Sequence, residues 1–453
     1  MKLDVHVQGR RVATLFRERG DCVLQYEPDT APGDFVSLTM PVREAPWRWP
    51  RELHPFFRQN LPEGELLNLI REQCGRPLDA SDLALLALVG ASGIGRVTIT
   101  PQGVAPGTEL RPLDIGEILH GDNNAERFAA LARDYACAAV SGSAPKFIAP
   151  SWVRSGAQYT LPLEAAAPGK ATLRTSRHIV KGSDDDTPYL GFNEFYSMRV
   201  LDQLGVARVA RTQMSDDGRA LLVERFDVDE QGFAQCGVED ICSLLGLPPH
   251  EKYSASAEQV LHAAKAYLLD RDTLREQMHQ FGWHLLLNYV VRNAGGHAKN
   301  IALVYSSVED VRFAPVYGVA TTQAYARPGA GVPALAVDGS RSWVPGKSLE
   351  RFFNARLGIA PRAYAQMVEA LCDSAVSVGH QVIAAAQHEP RWYGIARRML
   401  QAWDEGMASL RCARHGVVVQ GLAPMLEAAG SAAAQPALRA PDAIQRAPLS
   451  HKH

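Results

Sequence analysis

The stretch that decides the fold is RNAGGHAKN at residues 292–300, and APVYGV at residues 314–319 is its companion. Two further segments connect these stretches. Residues 301–305 follow the first stretch directly, and residues 311–316 overlap the beginning of the second. They are rich in β-branched and aromatic side chains, which predicts a β-hairpin. Asn300 lies five positions after Gly295, and Gly318 stands just past the hairpin. The functional prediction depends on the spacing of these three positions.

The same spacing occurs in protein kinases. There a catalytic Asp precedes a metal-binding Asn by five positions, and a second metal-binding Asp follows later in the chain. One carboxylate orients the attacking hydroxyl and accepts its proton, and the other helps to hold Mg²⁺ against the phosphates. Gly295 and Gly318 occupy the two positions here, and glycine can do neither task. The sequence predicts kinase-like machinery that retains Asn300 and lacks both carboxylates.

Composition is that of an ordinary multi-domain protein. The 453 residues suffice for two or three cores, and 47 Lys plus Arg against 49 Asp plus Glu give a formal charge of −2. That charge provides no general attraction to nucleic acid or to an anionic membrane. No apolar run approaches the roughly 18 residues of a membrane span, and the first residues alternate like a strand. We expect a cytoplasmic protein without membrane contact.

The pattern along the chain divides it into four segments. Residues 1–105 begin with alternating runs and predict a β-rich module, and residues 106–228 predict a small lobe. Residues 229–424 are mostly helical in pattern, including residues 238–246 and 281–291. Residues 425–453 are rich in Ala and Pro, which favours a disordered tail. The fold class expected is α+β with two kinase-like lobes.

The small lobe offers a lysine and a glutamate. Lys181 ends the strand-like run HIVK, and Glu194 precedes apolar residues that recur every three positions, as on a helix: Phe195, Met198, Leu201 and Leu204. Kinases pair such a Lys and Glu beside the nucleotide. A surface salt bridge is the alternative. The neighbouring acids at residues 184–186 are expected to form a solvated loop.

Two other features have simple structural explanations. Residues 90–97, GASGIGRV, have the glycine spacing of a Walker phosphate loop, but Arg96 and Val97 stand where Lys and Ser or Thr are required. A tight turn is therefore favoured. His284 lies on the apolar face of the helix that leads into the catalytic loop, and we expect a core histidine rather than a base.

The whole pattern resembles the HipA family of bacterial toxin kinases over roughly residues 1–400. The most specific motifs are GHAKN at 296–300 and APVY at 314–317. Further similarity lies in SGSAPK at 141–146, where Ala144 replaces the usual Gln, and in ERFD at 224–227. The resemblance implies a HipA-like, protein-kinase-like fold with a small N-terminal β-rich module and a mostly helical C-terminal lobe. It also implies that the family carries Asp at positions 295 and 318.

The resemblance assigns site residues. The catalytic positions are Gly295, Lys299 and Asn300, and the metal positions are Asn300 and Gly318. The nucleotide-binding set is Ser141, Gly142, Ser143, Ala144, Pro145, Lys146, Lys181, Glu194, Glu224, Arg225, Phe226, His297, Lys299, Asn300 and Tyr317. Ser141 is the candidate for regulatory phosphorylation, with turn capping as the alternative.

By the same resemblance, the cofactors are ATP and Mg²⁺, and the family's substrate is a Ser or Thr of an aminoacyl-tRNA synthetase. The partner is a HipB-like helix-turn-helix antitoxin that brings the complex to operator DNA, in a toxin–antitoxin system linked to persistence. Three hypotheses stay open. The chain is an impaired toxin, or pseudokinase, that still binds its antitoxin. It is an active serine/threonine kinase whose two Asp were changed to Gly in the laboratory. Or it is a non-catalytic regulator that binds an antitoxin.

Overall fold

The protein is described by a computed structural model for residues 1–61, 67, 81–106, 113–135, 146–154, 172–230, 232–325, 331–411 and 421–433. These residues form an N-terminal module, a small lobe and a large helical lobe. The mixed α+β, two-lobed fold expected from the sequence is confirmed. In this part of the chain, no helix is both long and apolar enough to cross a membrane.

The N-terminal module is a five-stranded antiparallel sheet in the order β4-β3-β2-β1-β5. Its elements are β1 (Lys2–Val7), β2 (Arg10–Glu18), β3 (Asp21–Tyr26), β4 (Trp47–Trp49), α1 (Pro55–Arg58), α2 (Asp82–Val89) and β5 (Val97–Pro101). Gly95, in the turn before β5, has φ +89°, and a Cβ there would lie 2.9 Å from the Val238 amide nitrogen. The glycine cluster is therefore a tight turn packed on the large lobe.

The small lobe is a second five-stranded sheet in the order β6-β7-β8-β10-β9. It contains β6 (Leu113–Asp114), α3 (Ile115–His120), α4 (Ala125–Asp134), β7 (Lys146–Arg154), β8 (Thr172–Lys181), α5 (Leu190–Asp202), β9 (Thr212–Met214) and β10 (Leu221–Glu224). Helix α5 buries Met198 and Leu201, as its three-residue spacing predicts. Lys181, at the end of β8, pairs in register with Leu221 of β10.

The large lobe packs seven helices and a small sheet in the described residues. These elements are β11 (Gly237–Asp240), α6 (Ile241–Leu245), α7 (Ala257–Lys265), α8 (Arg271–Val290), β12 (Ala302–Tyr305), β13 (Val311–Phe313), α9 (Lys347–Phe352), α10 (Pro361–His388), α11 (Tyr393–Arg411) and α12 (Leu422–Ala433). Strands β12 and β13 form the predicted hairpin. It ends at Phe313 rather than at residue 316, because Pro315 has no amide hydrogen to extend the ladder.

The helix predicted over residues 238–246 is wrong in its first part. Residues Gly237–Asp240 form β11, which pairs antiparallel with β12. The helix starts only after Asp240, whose carboxylate accepts a hydrogen bond of 2.7 Å from the Ser243 amide and so caps α6. Gly246, with φ +70°, ends this helix in the left-handed region.

The disordered tail predicted from residue 425 is wrong for its first nine residues. Helix α12 runs through Leu422–Ala433, and its Leu422 and Leu426 are 2% and 1% exposed. The two leucines lie four apart, on the same helix face, and pack into the large core. The Asp404 carboxylate accepts hydrogen bonds from the amides of Leu422 and Ala423 at the start of this helix. The prediction for residues 434–453 lies outside the described part of the chain.

Candidate active-site cleft

A cavity of about 520 Å³ lies where the three parts of the protein meet. The small lobe contributes Lys181 and Glu194, and the large lobe contributes Asn300 and Gly318. The N-terminal module also reaches the cavity, through Gln59, Asn60 and Ile94. The topology therefore brings residues that are far apart in sequence to a single cleft.

Lys181 and Glu194 form a buried ion pair in this cleft. The Lys181 ammonium donates a hydrogen bond to Glu194 Oε1, and the two residues are only 9% and 4% exposed. Burying either charge alone would be strongly unfavourable, so each holds the other in place. The alternative of a surface salt bridge is wrong. The pair fixes the end of β8 against helix α5.

The segment between the lobes, residues 224–227, is held by several hydrogen bonds. Glu224 accepts a hydrogen bond from Arg177. Arg225 forms a 2.5 Å ion pair with Asp227, and both residues are buried. Asp227 Oδ2 also accepts a 2.6 Å hydrogen bond from the Gly95 amide, so the N-terminal module is attached directly to this segment. Phe226 lies at the cavity, and its ring centroid is 5.8 Å from that of Tyr317.

The loop at residues 292–300 is fixed by side chains around it. Asn293 Oδ1 accepts a 2.9 Å hydrogen bond from the Gly295 amide, and Thr322 Oγ1 accepts one of 2.7 Å from the Ala294 amide. Asn300 Nδ2 donates to the Gly295 carbonyl at 2.7 Å. Positions 295 and 300, predicted from their spacing to belong to one catalytic loop, are in direct contact. Thr322 could not be recognised from the sequence, because it lies 28 residues from its partner Ala294.

Arg292 anchors the start of this loop. Its guanidinium donates to the carbonyls of Trp343, at 3.0 Å, and Glu405, at 2.8 Å. The residue is 4% exposed and has φ +54°, an unusual value for a side chain of this size. The hydrogen bonds to two distant segments compensate for this conformation.

Gly318 stands between Lys181 and Asn300. A Cβ at this position would lie 3.9 Å from Lys181 Nζ and 3.9 Å from Asn300 Nδ2. At Gly295 a Cβ would lie 3.0 Å from Asn293 Oδ1, so Asn293 would have to shift by a few tenths of an ångström. A side chain at either position would therefore begin close to polar groups of the cleft. Glycine leaves both places without a carboxylate.

The donors that remain do not fit Mg²⁺. Magnesium in phosphoryl-transfer sites is held by one or two carboxylates together with phosphate oxygens. Four carboxylates line the cavity: Glu194, Glu224, Asp227 and Asp240. The first three accept from Lys181, Arg177 and Arg225, and Asp240 caps helix α6. Among the described residues, no group of three His, Cys, Asp or Glu side chains could hold a metal ion.

The cleft does fit a nucleotide. Apolar side chains suited to an aromatic ring line one part of it, including Ile179, Val223 and Phe226. Lysines 181, 252 and 299 and Arg341 line other parts and could attract phosphates. Thus the same cavity offers an apolar surface and several cations.

Three further predicted residues, His297, Lys299 and Tyr317, line the cleft. His297 packs edge-on against Tyr253, with ring centroids 4.8 Å apart, and the Tyr317 hydroxyl donates to the Lys299 carbonyl at 3.4 Å. Burial raises the pKa of the Tyr317 hydroxyl far above its ordinary value. Lys146 begins β7 opposite Lys181 of β8. Ser141, Gly142, Ser143, Ala144 and Pro145 lie outside the described residues.

Two further predictions concern residues near the cleft. His284 is buried in helix α8, and burial lowers the pKa of its imidazole to about 4. It is a core histidine, as expected, although its Nε2 has no hydrogen-bond partner among the described residues. Of the acids at residues 184–186, Asp185 and Asp186 are exposed, as the solvated loop predicts. Asp184 is half-buried, and its Oδ1 accepts hydrogen bonds from the amide and the hydroxyl of Thr187.

Gln59 is a cleft residue that the sequence did not reveal. Its side-chain amide donates to the Val238 carbonyl at 3.2 Å and accepts from the Asp240 amide at 2.9 Å. These bonds tie α1 to the edge strand β11. Because Gln59 and its partners are about 180 residues apart, no local pattern could have indicated the contact.

Comparison with known proteins identifies the family. The HipA-like C-terminal domain matches residues 138–378, and the HipA N-terminal domain matches residues 3–100. Two Sinorhizobium fredii proteins, each named as a candidate kinase, are similar. Y4mE is 29% identical over 350 residues, covering 71% of this chain and 78% of its own length, and Y4dM is 25% identical over 286 residues, covering 60% and 63%.

A solved structure supports the fold. The Shewanella oneidensis MR-1 complex of HipA, HipB and operator DNA contains a chain that matches with a TM-score of 0.64 at 19% identity. The match covers 92% of this chain and 100% of that one. The first family match alone spans more than half of the 453 residues. The chain therefore belongs to the HipA family.

Proposed function

We propose that this protein is a HipA-type toxin-antitoxin component that binds a nucleotide and an antitoxin but does not transfer phosphate. One observation carries the proposal. Position 318 is occupied by glycine, and a Cβ built there would lie 3.9 Å from both Lys181 Nζ and Asn300 Nδ2. Lys181 and Asn300 therefore surround the position at which the family resemblance places a metal-binding carboxylate, and the carboxylate is absent.

The expected loss of rate is large. A positioned general base contributes about 10² to 10⁴ in rate. A metal that stabilises charge in the transition state contributes several kcal/mol more. Glycine at positions 295 and 318 removes the side chains for both tasks, so phosphate transfer should be negligible.

The nucleotide proposed is ATP, which supplies the γ-phosphoryl group in active kinases. In this chain Lys181, held by Glu194, would attract the phosphates, and residues 224–226 would contact the base. Mg²⁺ is not part of this proposal, because the donors present do not suit it. Ser141 remains the proposed regulatory phosphorylation site, and a chain without transfer activity would require another kinase to modify it.

The partner proposed is a HipB-like helix-turn-helix antitoxin. The support is the similarity to a HipA that was solved together with HipB and operator DNA. The formal charge of −2 offers no general attraction to DNA, so contact with an operator would be made through the antitoxin. An aminoacyl-tRNA synthetase is the acceptor we propose for a chain in which both Asp are restored.

The test compares three proteins in transfer of labelled phosphate from ATP in the presence of Mg²⁺. They are the unaltered chain, the double variant Gly295→Asp plus Gly318→Asp, and the matched control Gly295→Asn plus Gly318→Asn. Asn has nearly the size of Asp, and both residues tolerate the left-handed φ of +67° at position 318. We expect phosphate incorporation only with the Asp variant. Robust transfer by the unaltered chain would refute the proposal.

The two remaining hypotheses have their own discriminating results. Aspartate codons at positions 295 and 318 in the genomic gene would establish that the glycines are a laboratory change. Growth inhibition by this chain when the antitoxin gene is deleted would exclude a pure regulator without a toxin role.

A further inference from the structure

The charge of the cleft differs from that of a metal-dependent kinase site. Five cationic side chains line the cavity, namely Lys181, Arg225, Lys252, Lys299 and Arg341, against four carboxylates. Aspartates at positions 295 and 318 would raise the number of carboxylates to six. The cavity lining would then carry more carboxylates than cations. A site with excess negative charge repels a polyphosphate unless a metal ion offsets that charge. The present site has no such excess and does not need the metal for this purpose.

The carboxylates that remain are occupied by neighbouring protein groups. Glu194 accepts from Lys181, Asp227 is paired with Arg225 at 2.5 Å, and Asp240 caps helix α6. The same pairs neutralise Lys181 and Arg225, so these two pairs leave the excess of one positive charge in the cavity lining unchanged.

The gap at position 318 is bordered by nitrogen atoms. Lys181 Nζ and Asn300 Nδ2 both lie 3.9 Å from the place of a Cβ, and Asn300 Nδ2 donates to the Gly295 carbonyl at 2.7 Å. Nitrogen donors attract phosphate oxygens and repel a divalent cation. The position that binds metal in an active kinase is thus suited here to an anion.

We infer that the cleft binds the nucleoside triphosphate as a free anion, without Mg²⁺, and that Mg²⁺ weakens binding. This inference rests on nucleotide binding as included in the proposed function. A bound Mg²⁺ cancels part of the negative charge of the triphosphate, and no carboxylate at position 318 compensates by holding the metal. The complex of ATP with Mg²⁺ therefore loses attraction to the cations and gains no metal–protein contact.

The experiment is calorimetric titration of the full chain with ATP, in EDTA and in excess Mg²⁺. We expect the affinity in EDTA to exceed that in Mg²⁺ by roughly fivefold, the effect of one charge interaction of about 1 kcal/mol. The affinity in EDTA should also fall as salt is added, because exposed charges are screened.

Two matched variants test the role of position 318. Gly318→Asp should invert the preference, so that ATP binds more tightly with Mg²⁺ than in EDTA. Gly318→Asn, which fills the same space and has no charge, should keep the preference of the unaltered chain. Circular dichroism of both variants establishes that they are folded before titration.

Three results would overturn the inference: binding by the unaltered chain only in Mg²⁺, no binding in either condition, or the same metal response for Gly318→Asp and Gly318→Asn. Absence of binding in both conditions would also refute the nucleotide binding included in the proposed function. The other two results would leave the proposed lack of phosphate transfer untouched, because transfer is measured separately with labelled ATP. A chain that binds ATP only with Mg²⁺ and transfers no phosphate would contradict this inference alone.

Discussion

Glu239 should make the stability of the protein depend on pH. This carboxylate is completely buried between the N-terminal module and the large lobe. It accepts hydrogen bonds from the Ser37 hydroxyl at 2.8 Å, the Leu38 amide at 3.0 Å and the Ser243 hydroxyl at 2.7 Å. Burial is the dominant influence and raises its pKa from 4.5 to about 7, despite the opposing effect of these bonds.

The sign of the effect follows from proton binding. Between pH 4.5 and about 7 the folded protein keeps a proton on Glu239 that the unfolded chain releases. The contribution of this group is therefore fully present below pH 4.5 and declines as pH rises through 7. At 1.36 kcal/mol per pKa unit, the loss between about pH 5 and pH 8 is about 2 to 3 kcal/mol.

The variant Glu239→Gln stays neutral at every pH. We expect its free energy of unfolding, relative to the unaltered chain, to rise by about 2 to 3 kcal/mol from about pH 5 to pH 8. Urea denaturation at the two pH values measures this difference. Glu309→Gln, at an exposed carboxylate, is the control and should show little change. An equal stability difference between Glu239→Gln and the unaltered chain at both pH values would refute the reasoning.

Two further substitutions, Gly406→Ala in the large lobe and Asp227→Ala at the cleft, test side-chain packing and ion pairing, and each has its own control variant. Gly406→Ala should lower the free energy of unfolding by about 1 to 3 kcal/mol, because its methyl group would lie 2.0 Å from a backbone carbonyl oxygen of α8. Gly394→Ala, in the same helix but with only a 3.7 Å contact, should be neutral or stabilising in the same denaturation assay. Asp227→Ala should cost about 3 to 5 kcal/mol by leaving Arg225 buried without its partner. Glu427→Ala, in an exposed pair, should cost less than about 1 kcal/mol, and equal losses for these last two variants would contradict the account.

The central part of the site could be predicted because its signals are local. Five residues separate Gly295 from Asn300, and the hairpin that follows returns the chain to Gly318. The pair Lys181 and Glu194 was expected from a strand followed directly by a helix, and the structure brings them into contact. In each case the short connection determines which side chains can meet.

The contribution of the N-terminal module could not be predicted. Gln59 and the turn at Gly95 reach the cleft by contacts with Val238, Asp240 and Asp227, each more than 130 residues away. Such contacts depend on how separate cores pack together, and hydrophobic periodicity within one segment contains no information about this packing.

Two secondary-structure errors have local causes. Residues 237–240, with the sequence GVED, form too short a segment for periodicity to separate a strand from the start of a helix, and the cap by Asp240 decides the boundary. At the C-terminus, the abundance of Ala and Pro suggested disorder. Alanine has the highest helix propensity, and Leu422 and Leu426 give α12 enough buried surface to fold onto the core.

We propose that phosphate transfer fails in this protein because two carboxylates are absent. The most direct measurement is the single-turnover rate of γ-phosphate loss from ATP, in the unaltered chain and in Gly295→Asp plus Gly318→Asp. We expect a rate at least about 10⁴-fold higher in the double variant, because it gains a general base and a metal ligand together. Equal rates in the two proteins would contradict the proposal, because positions 295 and 318 would then not be the sites of the missing chemistry.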